Sequence, residues 1–164
     1  MSGAPRARPV RRTTPIRVIF VCGGNSARSQ MAEAILRGEG GGDFEAYSAG
    51  VWPKDDVHPM TIQVLSEIGI DISDARSKPV SEFLDQRFDY VVTVCDRARE
   101  SCPVFPGAEE SMHWGLDDPA EAIGTEAQRL AVFRRVMTEI AVRMRSFIKL
   151  ARRSHPDETG VAAG

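Results

Sequence analysis

The sequence predicts an α/β fold, a single domain in which a mostly parallel sheet of about four strands carries helices on both faces. Short apolar runs rich in β-branched residues, such as 16–21 (IRVIFV) and 89–94 (DYVVTV), are typical of strands buried on both faces. Segments with helical spacing of apolar residues alternate with these runs. The length of 164 residues is that of about one domain.

The first half of the chain alternates between strands and helices. Residues 16–21 form the first predicted strand, and residues 29–37 (SQMAEAILR) are good helix formers that stop at Gly38. Residues 44–48 alternate between apolar and polar side chains, as a strand does. Residues 59–68 predict a second helix, which the following glycine closes.

The second half continues this alternation. Residues 89–94 predict a buried strand, and residues 112–116 predict a short last strand. From Thr125 onward, apolar residues recur at steps of three and four, which predicts a long helix with one apolar stripe on the sheet. We therefore expect the domain to occupy residues 16–150.

Both ends of the chain are expected to be disordered tails. Residues 1–15 carry four arginines among prolines, with no acidic residue and no apolar stretch of the length that a signal peptide needs. This composition favours a basic tail, and an Arg-rich organellar transit peptide is the alternative. Residues 151–164 are polar and contain glycine and proline, which also indicates a tail.

Composition excludes several classes of protein. With 21 basic and 23 acidic residues the net charge is −2, which disfavours a nucleic-acid binder that works by bulk charge. No run approaches the roughly 20 apolar residues of a membrane span. Three cysteines are too few for a secreted disulfide scaffold, and their odd number indicates reactive thiols. We expect a soluble cytoplasmic protein without a membrane or nucleic-acid partner.

The residues that carry chemistry follow the first strand directly, starting at Cys22. A strand, a glycine-rich turn and a helix N-terminus together cradle a tetrahedral oxyanion with backbone N–H groups and the helix dipole. Arg28 can bind two oxyanion oxygens, and the same field should stabilise a thiolate at Cys22, to which the Ser29 hydroxyl can donate. A Walker loop is excluded because no Gly-Lys-Ser/Thr follows. The predicted oxyanion-binding loop comprises Gly23, Gly24, Asn25, Ser26, Ala27, Arg28 and Ser29.

A nucleophile of this kind needs an acid to protonate the departing oxygen. The segment 113–119 (HWGLDDP) offers one, because Pro119 biases Asp118 toward extended backbone and lets its carboxyl group project from a loop. The neighbouring Asp117 then faces elsewhere. Asp118 is therefore the predicted acid.

Cys-x5-Arg-Ser after the first strand, together with a distal Asp-Pro, resembles the low-molecular-weight protein tyrosine phosphatase superfamily. Within it the chain is more similar to thioredoxin-coupled arsenate reductases, because of its cysteine pair and its His-Trp-Gly…Asp-Asp-Pro segment. The resemblance spans about residues 16–150 and implies a phosphatase-like fold. The matching segments are 22–33, 47–50, 92–95, 102–103 and 113–119.

The resemblance implies a reaction with three thiols. Cys22 would attack arsenate, Arg28 and the loop amides would bind its oxygens, and Asp118 would protonate the departing hydroxide. Cys95 would then attack the Cys22–arsenic adduct and release arsenite, and Cys102 would convert the Cys22–Cys95 disulfide into a Cys95–Cys102 disulfide that thioredoxin reduces. No organic cofactor or metal is implied. We expect an oxyanion and thioredoxin as the partners of a monomer.

The positions of the cysteines can be argued without the family. Cys22 and Cys95 each end a buried strand, so both should lie at the carboxyl edge of the sheet, and strands about 4.8 Å apart bring two such thiols within disulfide range. Cys102 lies seven residues beyond Cys95. If residues 96–101 are helical, this separation rises about 10.5 Å, so closing a Cys95–Cys102 bridge would require the segment to unwind.

Two departures from the family pattern stand out. Many relatives carry an additional cysteine in the loop, where this chain has Ala27. Some relatives also bind potassium beneath the loop through Asn, Glu, Ser and a distal Asp. Asn25, Glu33 and Ser48 match the first three, but the fourth falls on Lys78. We therefore expect no potassium site, and an ammonium group paired with Glu33 in its place.

Two other functions remain open at this point. A tyrosine phosphatase would need only Cys22, Arg28 and Asp118, but such phosphatases usually place an aromatic residue after Asp-Pro, where this chain has Ala120. Residual phosphatase activity is compatible with the reductase. A sensor of oxyanions or redox state is the third candidate. A zinc site is not expected, because the histidines lack metal-ligand spacing with the cysteines: His58, His113 and His155.

Overall fold

A four-stranded parallel sheet organises the computed structural model, which describes residues 14–156. The strands lie in the order β2-β1-β3-β4, so β1 is central and pairs with both β2 and β3. Because all four are parallel, their carboxyl ends meet at one edge of the sheet. The strands are β1 (Ile16–Cys22), β2 (Phe44–Gly50), β3 (Tyr90–Thr93) and β4 (Glu110–His113).

Four helices complete the predicted α/β fold, which is confirmed. Helix α1 packs on β1, β2 and α4, while the short α3 packs on β1 and β3. Three short 3₁₀ turns occur at Gly41–Asp43, Val80–Glu82 and Pro119–Glu121. The helices are α1 (Arg28–Gly40), α2 (Pro59–Glu67), α3 (Asp96–Ser101) and α4 (Glu126–Ser154). None of the helices in residues 14–156 is long and apolar enough to cross a membrane.

The core lies on both faces of β1. Val18, Ile19, Phe20 and Val21 are consecutive and all fully buried, and successive side chains of a strand point to opposite faces. Both faces of the central strand are therefore covered, as its continuous apolar sequence predicts. Aromatic rings join α4 to the sheet, with Phe147 packing 5.1 Å from the Tyr90 ring and 6.4 Å from the Phe44 ring.

Helix α4 continues beyond the predicted end of the domain. Its N-terminus has a capping box, in which Thr125 and Gln128 each bond to the other's backbone. The expected boundary at residue 150 was wrong, because Ala151 is fully buried and Arg152 makes a 3.1 Å ion pair with Asp43 before the helix ends at Ser154. The rest of both predicted tails, residues 1–13 and 157–164, lies outside the described residues.

The last strand lies two residues earlier than the sequence predicts. Its register pairs Glu110 with Tyr90 and His113 with Thr93. Strand β3 ends at Thr93, and α3 begins at Asp96. The residues after His113 therefore have no further β3 residues beside which to extend the strand. One more backbone bond, from Trp114 N to Thr93 O at 2.8 Å, closes the ladder, and the predicted strand at 112–116 is corrected to Glu110–His113.

The packing of α4 leads to a stability prediction. Met144 on α4 is fully buried, so Met144→Ala should lower the free energy of unfolding by about 2–5 kcal/mol through lost burial and a cavity. Val142→Ala is the control, because that side chain is exposed on the same helix and should change stability by less than about 0.5 kcal/mol. Urea unfolding followed by circular dichroism measures both. Equal losses for the two variants would contradict this packing.

Candidate active site

The loop between β1 and α1 wraps around the Cys22 sulfur. Cys22 is buried, its Sγ accepts a hydrogen bond from Asn25 N at 3.1 Å, and the Ser29 Oγ lies 2.8 Å away. Asn25 Nδ2 donates to that Ser29 oxygen at 2.8 Å, which leaves the Ser29 proton available for the sulfur. Helix α1 begins at Arg28, so its N-terminus also faces the thiol. The sulfur therefore lies among hydrogen-bond donors near a helix N-terminus, where the helix dipole is positive.

The outside of the loop is held by residues 51–58, the segment that follows β2. Four loop carbonyls each accept a backbone N–H from this segment at 2.8–3.0 Å: those of Cys22, Gly23, Gly24 and Ser26. A side chain at Gly50 would come within 2.8 Å of the Gly23 oxygen, so this close approach requires glycine. Because the loop carbonyls face outward, its N–H groups can face the sulfur.

Asn25 fixes the shape of the loop at its base. It is the one non-glycine residue with a positive φ, 50°, among residues 14–156, and asparagine tolerates this left-handed conformation better than most residues. The side chain is fully buried, and its Oδ1 accepts hydrogen bonds from Lys78 N at 2.8 Å and Gln30 Nε2 at 3.0 Å. Asn25 therefore joins the loop to Lys78 and Gln30.

Arg28 and Asp118 face each other across the cavity above Cys22. Their closest atoms, Arg28 Nη2 and Asp118 Oδ2, are 3.5 Å apart, and Arg28 Nη1 donates to Leu116 O at 3.0 Å. All three predicted residues line one cavity of about 30 Å³. Asp117 points away and lies 3.5 Å from Arg135, as the extended backbone predicts. The cavity therefore brings together the predicted nucleophile, the predicted oxyanion-binding cation and the predicted acid.

The second and third cysteines lie at the two ends of α3. Val21 pairs with Thr93, so Cys95 follows β3 at the edge where Cys22 ends β1. Cys95 is the buried N-cap residue of α3, and its Sγ accepts from Ala98 N at 3.3 Å. Cys102 is the C-cap residue, and burial raises the pKa of its thiol to about 11. All three cysteines are free thiols.

A buried ion pair lies beneath the loop. Lys78 Nζ is 3.8 Å from Glu33 Oε1 and 3.4 Å from Ser48 Oγ. Burial raises the pKa of Glu33, an effect that the charges of Lys78 and Arg37 oppose, and burial lowers the pKa of Lys78. The ammonium group thus lies beside Glu33 and Ser48, and the backbone N–H of the same lysine donates to Asn25, the residue that fixes the loop.

The three histidines do not line the Cys22 cavity, and each forms hydrogen bonds elsewhere in the protein. His58 Nδ1 accepts from Met60 N and caps α2, and His113 bridges the ends of β3 and β4 to α3. His155 lies near Asp89 and Glu109, a trio of residue types that bind metals. These three are at the opposite edge of the sheet from Cys22, and each has a partner in the protein: the Tyr90 hydroxyl, Arg17 N and Arg87, respectively.

Sequence reasoning missed Lys54, which lines the cavity with Cys22, Arg28 and Asp118. It reaches the site through tertiary pairing, since Lys54 N donates to Gly24 O at 2.9 Å. No local spacing marks such a residue. The only signal is its place shortly after the matching segment 47–50, which precedes the residues that border the loop.

Comparison with known proteins agrees with this geometry. The family model for low molecular weight phosphotyrosine protein phosphatase matches residues 17–156. An arsenate reductase of Halalkalibacterium halodurans is 45% identical over 79% of this chain and 93% of its own length. An arsenate reductase of Bacillus subtilis is 40% identical over the same shares of the two chains.

Solved structures give the same result. A structure described as an arsenate reductase in the phosphate binding state has a TM-score of 0.71 and 34% identity, covering 82% of this chain and 98% of its own. A thioredoxin-dependent arsenate reductase of Corynebacterium glutamicum has a TM-score of 0.69 and 32% identity, covering 87% of this chain and 65% of its own. The chain therefore belongs to the low molecular weight phosphotyrosine protein phosphatase family, within its group of arsenate reductases.

Proposed function

We propose that this enzyme reduces arsenate to arsenite with three thiols that thioredoxin recycles, and so detoxifies arsenic in the cytoplasm, where thiols are kept reduced. The observation that carries the proposal is the placement of the cysteines. Cys22 lies in an oxyanion cradle, and Cys95 follows the neighbouring strand at the same edge. Cys102 lies at the far end of the short helix that Cys95 begins. The names of its relatives agree with this chemistry.

The first step joins sulfur to arsenic. The loop N–H groups and Arg28 bind the arsenate oxygens, and the Cys22 thiolate attacks the arsenic atom. One arsenic–oxygen bond breaks, and Asp118 gives its proton to the departing oxygen. The 3.5 Å contact between Arg28 and Asp118 supports these roles for the two residues.

The second step transfers two electrons. Cys95 attacks the Cys22 sulfur, and the electron pair of the sulfur–arsenic bond stays on arsenic, which leaves as arsenite. Cys102 then attacks Cys95 in the Cys22–Cys95 disulfide and releases the Cys22 thiolate. The resulting Cys95–Cys102 disulfide is reduced by thioredoxin, which supplies both electrons. No organic cofactor or metal is needed in this balance.

Helix α3 must open for the last transfer, since its ends are too far apart for a bridge. Ala98 is the one buried residue of this helix. The Cys95 sulfur caps it, His113 Nε2 lies 2.9 Å from Asp96 Oδ1, and Arg97 packs 4.9 Å above the Trp52 ring. Disulfide formation removes the sulfur cap. Before that event, the raised pKa of the buried Cys102 keeps its thiol protonated and unreactive.

The nucleophile is tested by Cys22→Ser, which should reduce arsenate reduction and aryl phosphate hydrolysis each by about three orders of magnitude or more. In the parent, iodoacetamide should modify Cys22 ahead of the other two thiols, and arsenate or phosphate should protect it. Peptide mass mapping measures the modification. Ser29→Ala should slow alkylation because one donor to the thiolate is lost. Activity of either kind in Cys22→Ser would show that the chemistry is wrong.

The thiol–disulfide relay through Cys95 and Cys102 distinguishes a reductase from a phosphatase, because only a reductase needs these two thiols. Cys95→Ser and Cys102→Ser should each abolish repeated arsenate turnover with thioredoxin, measured as coupled NADPH consumption. Cys102→Ser can still release one arsenite per chain, whereas Cys95→Ser should release almost none. Both should hydrolyse an aryl phosphate within about threefold of the parent, because water completes that reaction. Parent-like arsenate turnover in either variant would exclude the relay and favour the phosphatase.

The ammonium group beneath the loop is proposed to take the place of potassium. Exchanging sodium for potassium at fixed ionic strength should then change the melting temperature and turnover of the parent little. Lys78→Asp should create a potassium-dependent rise in melting temperature, because it adds a carboxylate beside Glu33. Lys78→Met, which adds no ligand, is the matched control. A strong potassium effect on the parent would contradict this role for Lys78.

A further inference from the structure

Lys54 lies directly over the oxyanion-binding loop. Three carbons of its side chain, Cγ, Cδ and Cε, are 3.0–3.2 Å from the position that a β-carbon on Gly24 would occupy. Its backbone N–H is fixed to Gly24 O at 2.9 Å. The exposed side chain therefore forms part of the wall of the cavity that Cys22, Arg28 and Asp118 also line.

The cavity is small. Its volume of about 30 Å³ is an order of magnitude below the roughly 300–1,000 Å³ of pockets that take organic ligands. A free tetrahedral oxyanion needs room only for its own atoms, whereas an aryl phosphate must also place a ring outside the loop. Because the Lys54 side chain forms part of the wall of this cavity, we expect its methylenes to crowd such a ring.

The charge of Lys54 also favours a free oxyanion over a phosphate ester. Arg28 is the predicted cation of the loop, and it shares its charge with Asp118 at 3.5 Å. A second cation on the cavity wall adds attraction for an inorganic oxyanion, which carries charge on all its oxygens. Because Lys54 is exposed, this attraction is screened and should change affinity by only about two- to fivefold.

We propose that Lys54 is a specificity-determining residue, whose ammonium group strengthens binding of inorganic oxyanions and whose methylenes hinder binding of the organic group of phosphate esters. This inference rests on the proposed oxyanion site and deepens it. It assigns the preference for a free oxyanion to a residue outside the loop itself.

Two substitutions separate size from charge. Lys54→Met keeps the length of the side chain and removes its charge, while Lys54→Ala removes both. Lys149→Met is the control, because it removes an exposed lysine from α4. Two constants are measured for each protein: the dissociation constant of inorganic phosphate, from its protection of Cys22 against iodoacetamide, and kcat/KM for p-nitrophenyl phosphate.

Both Lys54 variants should bind phosphate about two- to fivefold more weakly, and 0.5 M salt should reduce the difference. Only Lys54→Ala should hydrolyse p-nitrophenyl phosphate with a higher kcat/KM than the parent, by threefold or more. Lys149→Met should change neither constant. Melting temperatures within about 2 °C of the parent show that the variants are folded.

The proposal is overturned if Lys54→Ala leaves both constants within twofold of the parent values, or if Lys54→Met raises p-nitrophenyl phosphate hydrolysis as much as Lys54→Ala does. Neither constant depends on arsenate reduction. If the variants differ from the parent as expected but the parent reduces no arsenate, the reductase is rejected and the role of Lys54 stands.

Discussion

The left-handed backbone at Asn25 is the constraint on which the rest of the site depends. With Asn25 in this conformation, the loop turns back on itself and its own N–H reaches the Cys22 sulfur. The same side chain positions Ser29 and accepts a hydrogen bond from Lys78 N. One buried residue therefore links the nucleophile, the hydroxyl that supports it and the cation beneath the loop, and losing its amide would disturb all three together.

The proposed reaction also requires two thiols close together, and the sheet provides this by bringing strand ends to one edge. Parallel strands bring the ends of β1 and β3 to one edge, so Cys22 and Cys95 lie at the same edge although they are 73 positions apart in the sequence. Beyond this edge lies α3, which is only six residues long and has Ala98 as its one buried residue. A hydrogen-bonded loop beside a short helix suits a reaction in which the oxyanion must stay fixed while two thiols move.

Much of this arrangement could be predicted from the sequence because it is local. The loop from Cys22 to Ser29 is contiguous, and the buried strands and the apolar stripe of α4 follow from the spacing of their residues. The end of the domain could not be predicted from composition, because Ala151 is buried by tertiary packing among polar neighbours. Lys54 was missed for a similar reason, since backbone pairing between distant segments brings it to the cavity.

The central claim is that the three cysteines of this chain supply the electrons that reduce arsenate. Its most direct test is to expose the fully reduced protein once to arsenate without thioredoxin, and then to map disulfides by mass spectrometry and count the arsenite released. The account predicts one arsenite per chain and a Cys95–Cys102 disulfide, with Cys22 free again. Three free thiols and unreduced arsenate, in protein that still hydrolyses an aryl phosphate, would contradict it.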